Sequence, residues 1–249
     1  MVEKEQLPSF AENTLKYIVD DIGEVIYSSH ETLKKGDVYL LGLNPGGSGQ
    51  NHPMTGVPYT IRSHLKSMLR RKENSYYDEC WENGQSNYPK GEAPLQKRVI
   101  ELLKGINIDD PKTVCASNII FKTSRSSAEL CFGLAGLCWP VHEAVLKIIQ
   151  PSLILTYGID KVSAYAFLKA LFLKEEEVPP QPALHGKWNC RGFHCEIDGV
   201  HTFIAAVPHL SYYSPANKQD VFNWIIANQN KAKNGKTQCN LVYAPKSVE

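Results

Sequence analysis

Short apolar runs alternate with longer amphipathic stretches along the chain, a pattern typical of a parallel sheet covered by helices. The apolar runs predict strands at 38–43, 114–120, 153–157 and 202–207. Stretches with apolar residues at helical spacing predict helices at 11–27, 60–72, 94–106, 132–149, 161–173 and 220–228. Residues 193–207 predict a hairpin around Asp198-Gly199, a strong turn signal. We therefore expect a single α/β domain over residues 1–249. Its three layers would be arranged α/β/α around a central, mostly parallel four-stranded sheet.

Unusual polar residues follow three of the predicted strands. Asn44 comes after the first strand, Asn118 lies near the end of the second, and His209 follows the last. Because the carboxyl ends of parallel strands meet at one edge of a sheet, these three residues are expected to be neighbours. Ligands of open α/β sheets bind in the crevice at this edge.

The first strand runs into the turn Asn44-Pro45-Gly46-Gly47. Pro45 favours an extended conformation for Asn44, and the two glycines permit close approach of a ligand or of another part of the backbone. A glycine-rich turn of this kind is a weak motif, so an ordinary strand-to-loop connection is the alternative interpretation.

Three further segments carry charge or aromatic residues that bear on function. The helix at 60–72 has five cations and no acid, and its basic face either contacts phosphate or is simply solvated. Residues 73–94 are polar with four aromatic residues, which predicts a long surface excursion of the kind that is usually functional. Residues 231–249 contain lysines and only one acid, at the last position, which predicts a basic tail.

The composition is that of a globular protein with a substantial core, since 43% of its 249 residues are hydrophobic and 21% are charged. A net charge of +1 gives no global field for nucleic acid, so any such affinity must be local. Seven cysteines do not predict a disulfide framework. The amino terminus lacks an apolar signal core and no run approaches a membrane span, so we expect a cytoplasmic protein without membrane association.

Five histidine and cysteine residues that are close in sequence are of the types that bind zinc. Their spacing matches no common ligand pattern, and two of them would point to opposite faces of a strand, so no metal site is predicted. The cluster comprises His185, Cys190, His194, Cys195 and His201.

Four motifs, taken together and in order, resemble the uracil-DNA glycosylase superfamily. Gly42-Leu43-Asn44-Pro45-Gly46 and Thr55-Gly56-Val57-Pro58-Tyr59 are similar to the first two motifs of its single-strand-selective monofunctional branch. Asn118 resembles the base-reading asparagine of that branch. The segment His209-Leu210-Ser211, continued by Ser214-Pro215-Ala216-Asn217-Lys218, is similar to its His-Pro-Ser motif. The resemblance spans residues 38 to about 224.

The resemblance implies a monofunctional DNA glycosylase that flips a base out of DNA and hydrolyses its N-glycosidic bond. Asn44 would position the attacking water, and His209 would stabilise negative charge on the leaving base. Tyr59 would stack on the base, while the Asn118 amide would read its hydrogen-bonding edge. The base pocket would be formed by Leu43, Pro45, Gly46, Gly47, Tyr59 and Asn118. DNA contacts would come from Arg62, Lys66, Ser211, Tyr212, Tyr213 and Lys218, with Tyr213 as the residue that wedges into the duplex.

No lysine lies in these motifs, so we expect simple hydrolysis without a Schiff base and without a cofactor. The expected partner is double- or single-stranded DNA that contains a deaminated or modified base, and the expected assembly is a monomer. The role of such an enzyme would be DNA repair or, for a hypermodified phage base, anti-phage defence. A relative that binds DNA but has lost hydrolysis is the other class of protein with this pattern.

Three departures from the related branch leave the excised base open. The loop between Asn44 and Tyr59 is about two residues longer than expected and holds Gly46, Gly47 and Gly49, which predicts a wider pocket near the C5 position of a pyrimidine. Leu210 replaces the proline of the last motif, and residues 73–94 have no counterpart. The Asn118 amide can face a uracil-type or a cytosine-type edge, so both classes of base remain candidates.

Overall fold

The computed structural model describes residues 2–47, 59–83, 86–126 and 129–235. The helices are α1 (Leu7–Thr14), α2 (Ile61–Ser67), α3 (Pro94–Gly105), α4 (Leu134–Ile149), α5 (Ala164–Phe172) and α6 (Gln219–Lys233). The strands are β1 (Val38–Gly42), β2 (Glu82–Asn83), β3 (Ser86–Asn87), β4 (Cys115–Asn118), β5 (Leu153–Tyr157), β6 (Gln181–Pro182), β7 (Asn189–Ile197) and β8 (Val200–Val207).

Six of the strands form the central sheet, in the order β4-β1-β5-β8-β7-β6. The first four are mutually parallel, and their register aligns Gly42 with Asn118 and Tyr157 with Val207. Strand β7 pairs antiparallel with β8 through the turn at Asp198-Gly199, where both residues have positive φ. Four parallel strands therefore end at one edge of the sheet.

Both faces of the sheet are covered, because successive residues of each buried strand point to opposite sides. Tyr39 and Leu41 of β1 belong to a core cluster with α1, α2, α4 and α5. Val38 and Leu40 belong to a second cluster with α3 and α6. The predicted three-layer α/β/α fold with a mostly parallel sheet is confirmed, although the sheet has six strands rather than four.

The sequence pattern overestimated the first helix. The prediction of a helix over 11–27 is wrong, because α1 ends at Thr14 and the following segment forms turns. Gly23 of this segment forms an antiparallel β-bridge with Lys122, which follows β4. The Gly23 N–H donates to the Tyr59 carbonyl. Most of the segment's apolar residues are buried all the same, although Tyr17 and Ile22 are exposed, so the spacing records contact with the core rather than a helical period. The other predicted helices are present with shorter or shifted ends, and α4 continues through Pro140.

The polar excursion at 73–94 is less exposed to solvent than predicted. Asn74, Ser75 and Tyr76 are buried, and β2 and β3 form a small hairpin at its tip. Of the predicted basic tail, residues 231–235 are described, α6 continuing to Lys233, and residues 236–249 lie outside the described part of the chain. Among the described residues, no helix is both long enough and apolar enough to cross a membrane.

Candidate active site

The carboxyl edge of the sheet presents a different polar side chain at each of its four parallel strands. Asn118 ends β4, Asn44 follows β1 by two residues, Tyr157 ends β5, and His209 follows β8 by two residues. Because these strands are consecutive in the sheet, the topology brings together residues that are far apart in sequence. The predicted neighbours Asn44, Asn118 and His209 thus share this edge.

Two adjoining cavities open over this edge. One, of about 570 Å³, is lined by Asn118, and the other, of about 690 Å³, is lined by His209. Asn44, Tyr157 and three further residues line both, so the cavities meet above the ends of β1 and β5. Asn44 therefore lies between the predicted base-reading residue and the predicted electrostatic catalyst.

The Asn44 amide is held in a fixed orientation. Its Nδ2 donates to the Pro45 carbonyl at 2.6 Å and to the Ser124 hydroxyl at 3.1 Å. With both amide protons used in this way, the oxygen is the atom left to accept a hydrogen bond from a water molecule. An amide has no useful basicity, so Asn44 can orient a nucleophilic water but cannot act as a general base.

The Asn118 side chain is buried, with 2% of the residue exposed, and its Nδ2 has no hydrogen-bond partner among the described residues. Its oxygen is packed beside the phenol of Tyr157 over Gly42, where an added Cβ would lie within 3.0 Å of both groups. The glycine at the end of β1 is therefore a steric requirement of the site. An unsatisfied buried donor is costly, which makes Asn118 a candidate ligand-binding group.

Tyr157 is fixed from its other side. Its hydroxyl lies 3.0 Å from that of Tyr76, a buried residue of the excursion, and burial raises the pKa of Tyr157 to about 12. The phenol is therefore neutral at physiological pH and acts as a wall and a hydrogen-bonding group. The excursion thus supports the strand end directly.

His209 is neutral and has a defined tautomer. The backbone N–H of Ser211 donates to Nδ1 at 3.1 Å, so Nδ1 is an acceptor and the proton of the neutral ring lies on Nε2. Burial lowers the pKa of His209, and the charge of Asp160 opposes this shift to a lesser extent. The ring packs edge-on against Tyr157, with centroids 5.5 Å apart. This arrangement suits a neutral donor aimed at developing negative charge.

A buried carboxyl that the sequence analysis did not identify also lines the first cavity. Glu24 is 3% exposed, and its Oε2 has no hydrogen-bond partner among the described residues. Arg71 approaches this oxygen only to 3.9 Å, beyond hydrogen-bond distance, and instead donates to Glu79 at 2.6 Å. Burial, reinforced by the charge of Glu79, raises the pKa of Glu24 to about 8. Its signal in the sequence was a single acid inside an apolar stretch.

The excursion forms one wall of the first cavity. Trp81, Glu82 and Tyr88 line it, and the ring of Trp81 packs against Tyr27 and Tyr76 with centroids 6.4 Å and 5.7 Å away. The segment that had no counterpart in the related branch is therefore part of the site. Of its four aromatic residues, Trp81 and Tyr88 line the cavity, whereas Tyr76 is buried in the second core cluster and Tyr77 lines neither cavity.

The glycine turn is only partly described. Gly46 lines both cavities, and no heavy atom of the described residues lies within 4 Å of an added Cβ there, while Gly47 has a φ of 81°. Leu43 lines the second cavity and Pro45 the first. Gly49 and the predicted motif at 55–58 lie outside the described residues. Tyr59 lines neither cavity and packs edge-on against His64 at 6.4 Å.

The predicted DNA-contacting residues separate into exposed and engaged groups. Ser211 and Tyr212 are exposed beside the cavities, Tyr212 by 74%, and Lys66 is exposed on α2. Arg62 forms ion pairs with Glu12 and with Asp20. These two carboxylates occupy its guanidinium on the side of α1.

The assignment of Tyr213 as a wedge is wrong for this conformation. Tyr213 is 0% exposed and belongs to the second core cluster, whereas its neighbour Tyr212 points outward.

Lys218 donates to the Leu184 carbonyl at 2.8 Å and so ties the start of α6 to a neighbouring loop. Arg71, one of the five cations on the predicted basic face, is buried in its ion pairs.

Two arginines that the sequence analysis overlooked adjoin the site. Arg125 is exposed, lines the cavity that contains His209, and follows Ser124, the partner of Asn44. Arg98 donates to the carbonyls of Leu210 and Ser211 at 2.6 and 2.7 Å. Arg98 therefore fixes the turn that carries His209, and Arg125 is placed to meet a phosphate.

The described lining of the two cavities combines amide, imidazole, phenol and carboxyl groups. The described residues contain no group of three or more histidine, cysteine, aspartate or glutamate side chains able to hold a metal ion. Nor does any described residue lining either cavity carry a lysine amine. The arrangement can bind a planar polar ligand, orient a water molecule and stabilise an anion.

A scan of the chain against protein-family models and a search of curated proteins both find no significant match.

Proposed function

We propose that this protein is a monofunctional DNA glycosylase that hydrolyses the N-glycosidic bond of a flipped-out uracil or C5-modified pyrimidine. The observation that supports this most is the convergence of Asn44, Asn118 and His209 on the adjoining cavities at the carboxyl edge. Each of these residues is of the type that the resemblance to the uracil-DNA glycosylase superfamily requires at that strand end. Membership of that superfamily is part of the proposal.

The geometry suggests how the bond would be broken. A base lying over the ends of β1 and β5 would meet the amide of Asn118 at its hydrogen-bonding edge. The Nε2 proton of His209 would meet a carbonyl oxygen of the base. Asn44 would hold water at the opposite side of the sugar carbon. As the bond lengthens, negative charge grows on the base and is stabilised by the neutral imidazole donor, an interaction that is stronger in the transition state than in the ground state.

The released products would be a free base and an abasic site. The described cavity residues offer no amine for a Schiff base, so strand cleavage by a lyase step is not part of the proposal. DNA would approach over the exposed Ser211 and Tyr212, next to the cavity that holds Arg125.

Base release from oligonucleotides tests this function. Single- and double-stranded substrates carrying uracil, 5-hydroxymethyluracil, cytosine or 5-hydroxymethylcytosine are incubated with the protein, and free base is measured by mass spectrometry. Asn44→Ala and His209→Ala should each reduce the single-turnover rate by roughly 10²–10³-fold with little change in DNA binding. DNA binding without release of any base would instead support a binding protein that has lost hydrolysis.

A bulky base of the kind found in modified phage genomes is the second candidate substrate, and its excision would serve anti-phage defence. The first cavity, at about 570 Å³, lies within the ~300–1,000 Å³ that holds drug-sized ligands. Beyond the strand ends, its wall of Trp81, Glu82 and Tyr88 can accommodate a substituent on the ring.

Gly46 offers a test of substrate size. Because an added Cβ there meets no heavy atom of the described residues within 4 Å, Gly46→Leu should fold normally and fill the region where the cavities meet. The kcat/KM for 5-hydroxymethyluracil should fall more than that for uracil, which is the internal control. Gly47 is unsuitable for this purpose, since its positive φ would strain any side chain. A parallel loss on both substrates would contradict the wide-pocket hypothesis.

A further inference from the structure

Two buried polar atoms without partners line the same cavity. Asn118 Nδ2 is a donor with no described acceptor, and Glu24 Oε2 is a carboxyl oxygen with no described donor. Native interiors leave few such groups unsatisfied, and each unsatisfied group costs free energy unless a ligand or water completes it. Both residues are almost entirely removed from solvent, so a ligand that enters the cavity can supply the missing partners.

We propose that Glu24 is a base-contacting residue that, together with Asn118, reads the hydrogen-bonding edge of the flipped pyrimidine. This inference rests on the proposed glycosylase function and adds a specificity-determining residue to it. Glu24 and Asn118 would recognise a hydrogen-bond acceptor and an adjacent donor on one edge of the base. Uracil-type bases present this pair at O4 and N3, and cytosine-type bases present it at N3 and the 4-amino group.

The position of Glu24 follows from the way its segment packs. The Glu24 N–H donates to the Phe121 carbonyl at 3.0 Å, and the Ser117 hydroxyl donates to the Val25 carbonyl at 2.5 Å. The segment therefore runs beside β4, where Asn118 ends the strand. These backbone contacts hold Glu24 against the cavity, so its side chain does not depend on a mobile loop for its placement.

The ionic surroundings favour the neutral carboxylic acid. Arg71 is shared between two carboxyls, and its short contact is to Glu79, so a proton on Glu24 balances the charge of the buried group. The raised pKa of Glu24, about 8, agrees with this balance. The charged and titratable groups that face Glu24 are Arg71, Glu79, Tyr27, Tyr59 and Tyr76. The neutral acid offers one O–H donor and one carbonyl acceptor, which is what a pyrimidine edge requires.

The alternative is that Glu24 only balances Arg71. In that case Glu24 and Glu79 would be equivalent, and neither would affect base selection. Glu79 does not line either cavity, although it forms the shorter ion pair. It therefore provides a matched control within the same buried cluster.

The test compares Glu24→Gln, Glu24→Met and Glu79→Gln with the wild-type protein, on oligonucleotides carrying uracil, cytosine and their 5-hydroxymethyl derivatives. Glutamine retains a donor and an acceptor, so Glu24→Gln should keep kcat/KM for the preferred base within a few-fold of wild type. Methionine has neither function, so Glu24→Met should lower it by roughly ten- to a hundredfold. Glu79→Gln removes a charge that raises the pKa of Glu24, so it should change kcat/KM little at low pH, where Glu24 keeps its proton, and should shift the alkaline decline to lower pH. Circular dichroism verifies that all variants fold.

A pH profile adds a readout that a purely structural role would not move. Wild-type kcat/KM should fall as the pH rises through about 8, because the donor of Glu24 is lost, and Glu24→Gln should lack this decline. If the wild type releases base and Glu24→Met matches it in rate and selectivity, the role of Glu24 is refuted while the glycosylase function stands. If the wild type releases none of the bases, the function fails and this inference fails with it.

Discussion

A single methyl group at Gly42 should disturb the candidate site from the sheet side. In Gly42→Ala, the new Cβ would lie within 3.0 Å of the Asn118 amide oxygen and of the Tyr157 phenol. The backbone of β1 cannot retreat, because it is hydrogen-bonded to β4 on one side and β5 on the other. The two side chains must therefore move.

The magnitude follows from two opposing effects. Overpacking a well-packed interior costs about 1–3 kcal/mol, while replacing glycine with alanine at a permitted backbone conformation stabilises by about 0.4–1 kcal/mol through the unfolded chain. A net loss of about 1–2 kcal/mol corresponds to a decrease in Tm of roughly 2–8 °C for a domain of this size. A displacement of about 1 Å in a base-reading side chain can lower the rate of excision by about 10²-fold.

Gly36→Ala is the matched control. Gly36 precedes β1 at the opposite end of the strand, and its added Cβ would make ordinary contacts of 3.7 and 3.9 Å. Thermal unfolding and single-turnover base release are measured on both variants. Equal Tm values and equal rates for the two would refute the close packing of Asn118 and Tyr157 over Gly42.

Three other predictions address DNA contact and pH. Arg125→Gln should weaken binding to all DNA sequences and reduce the salt slope by about one, whereas Lys35→Gln, an exposed lysine before β1 at the opposite edge of the sheet, should leave the slope unchanged. Tyr212→Ala should weaken binding to a duplex more than to a single strand if this exposed ring fills the vacated stack; an equal loss on both would contradict that role. Because the pKa of Glu24 is raised from 4.5 to about 8 in the folded protein, the folded state binds more protons and loses stability as the pH rises between these values, by up to about 1.4 kcal/mol per pH unit. The Tm of Glu24→Gln should lack this part of the decline, and identical pH profiles for the two proteins would contradict the shift.

The strand ends were predictable from the sequence because parallel topology imposes their positions. A buried strand of five or so residues has a recognisable apolar run, and whatever polar residue ends it must lie at the common edge, as Asn44, Asn118 and His209 do. The hairpin at Asp198-Gly199 was predictable for a similar reason, since its turn chemistry is local.

The remainder depends on long-range packing that no local pattern records. Glu24 reaches the cavity only because its segment lies along β4, almost a hundred residues later in the chain. In the sequence, Arg71 resembles the neighbouring surface cations. In the structure, the excursion places Glu79 against it. Tyr212 and Tyr213 are chemically identical, and only the turn that follows His209 decides which of them is buried.

The strand order also has a consequence for biosynthesis. Strand β5 lies between β1 and β8, so its second edge stays unpaired until β8 has been made. A nascent chain that stops before residue 200 would expose the edge of a strand that is entirely buried in the folded protein, and such an edge is a template for aggregation. It would also lack His209, so an arrested or truncated chain that binds DNA would release no base. Under the proposed function, the late position of β8 and His209 in the chain would delay any base release until nearly the whole domain has been translated.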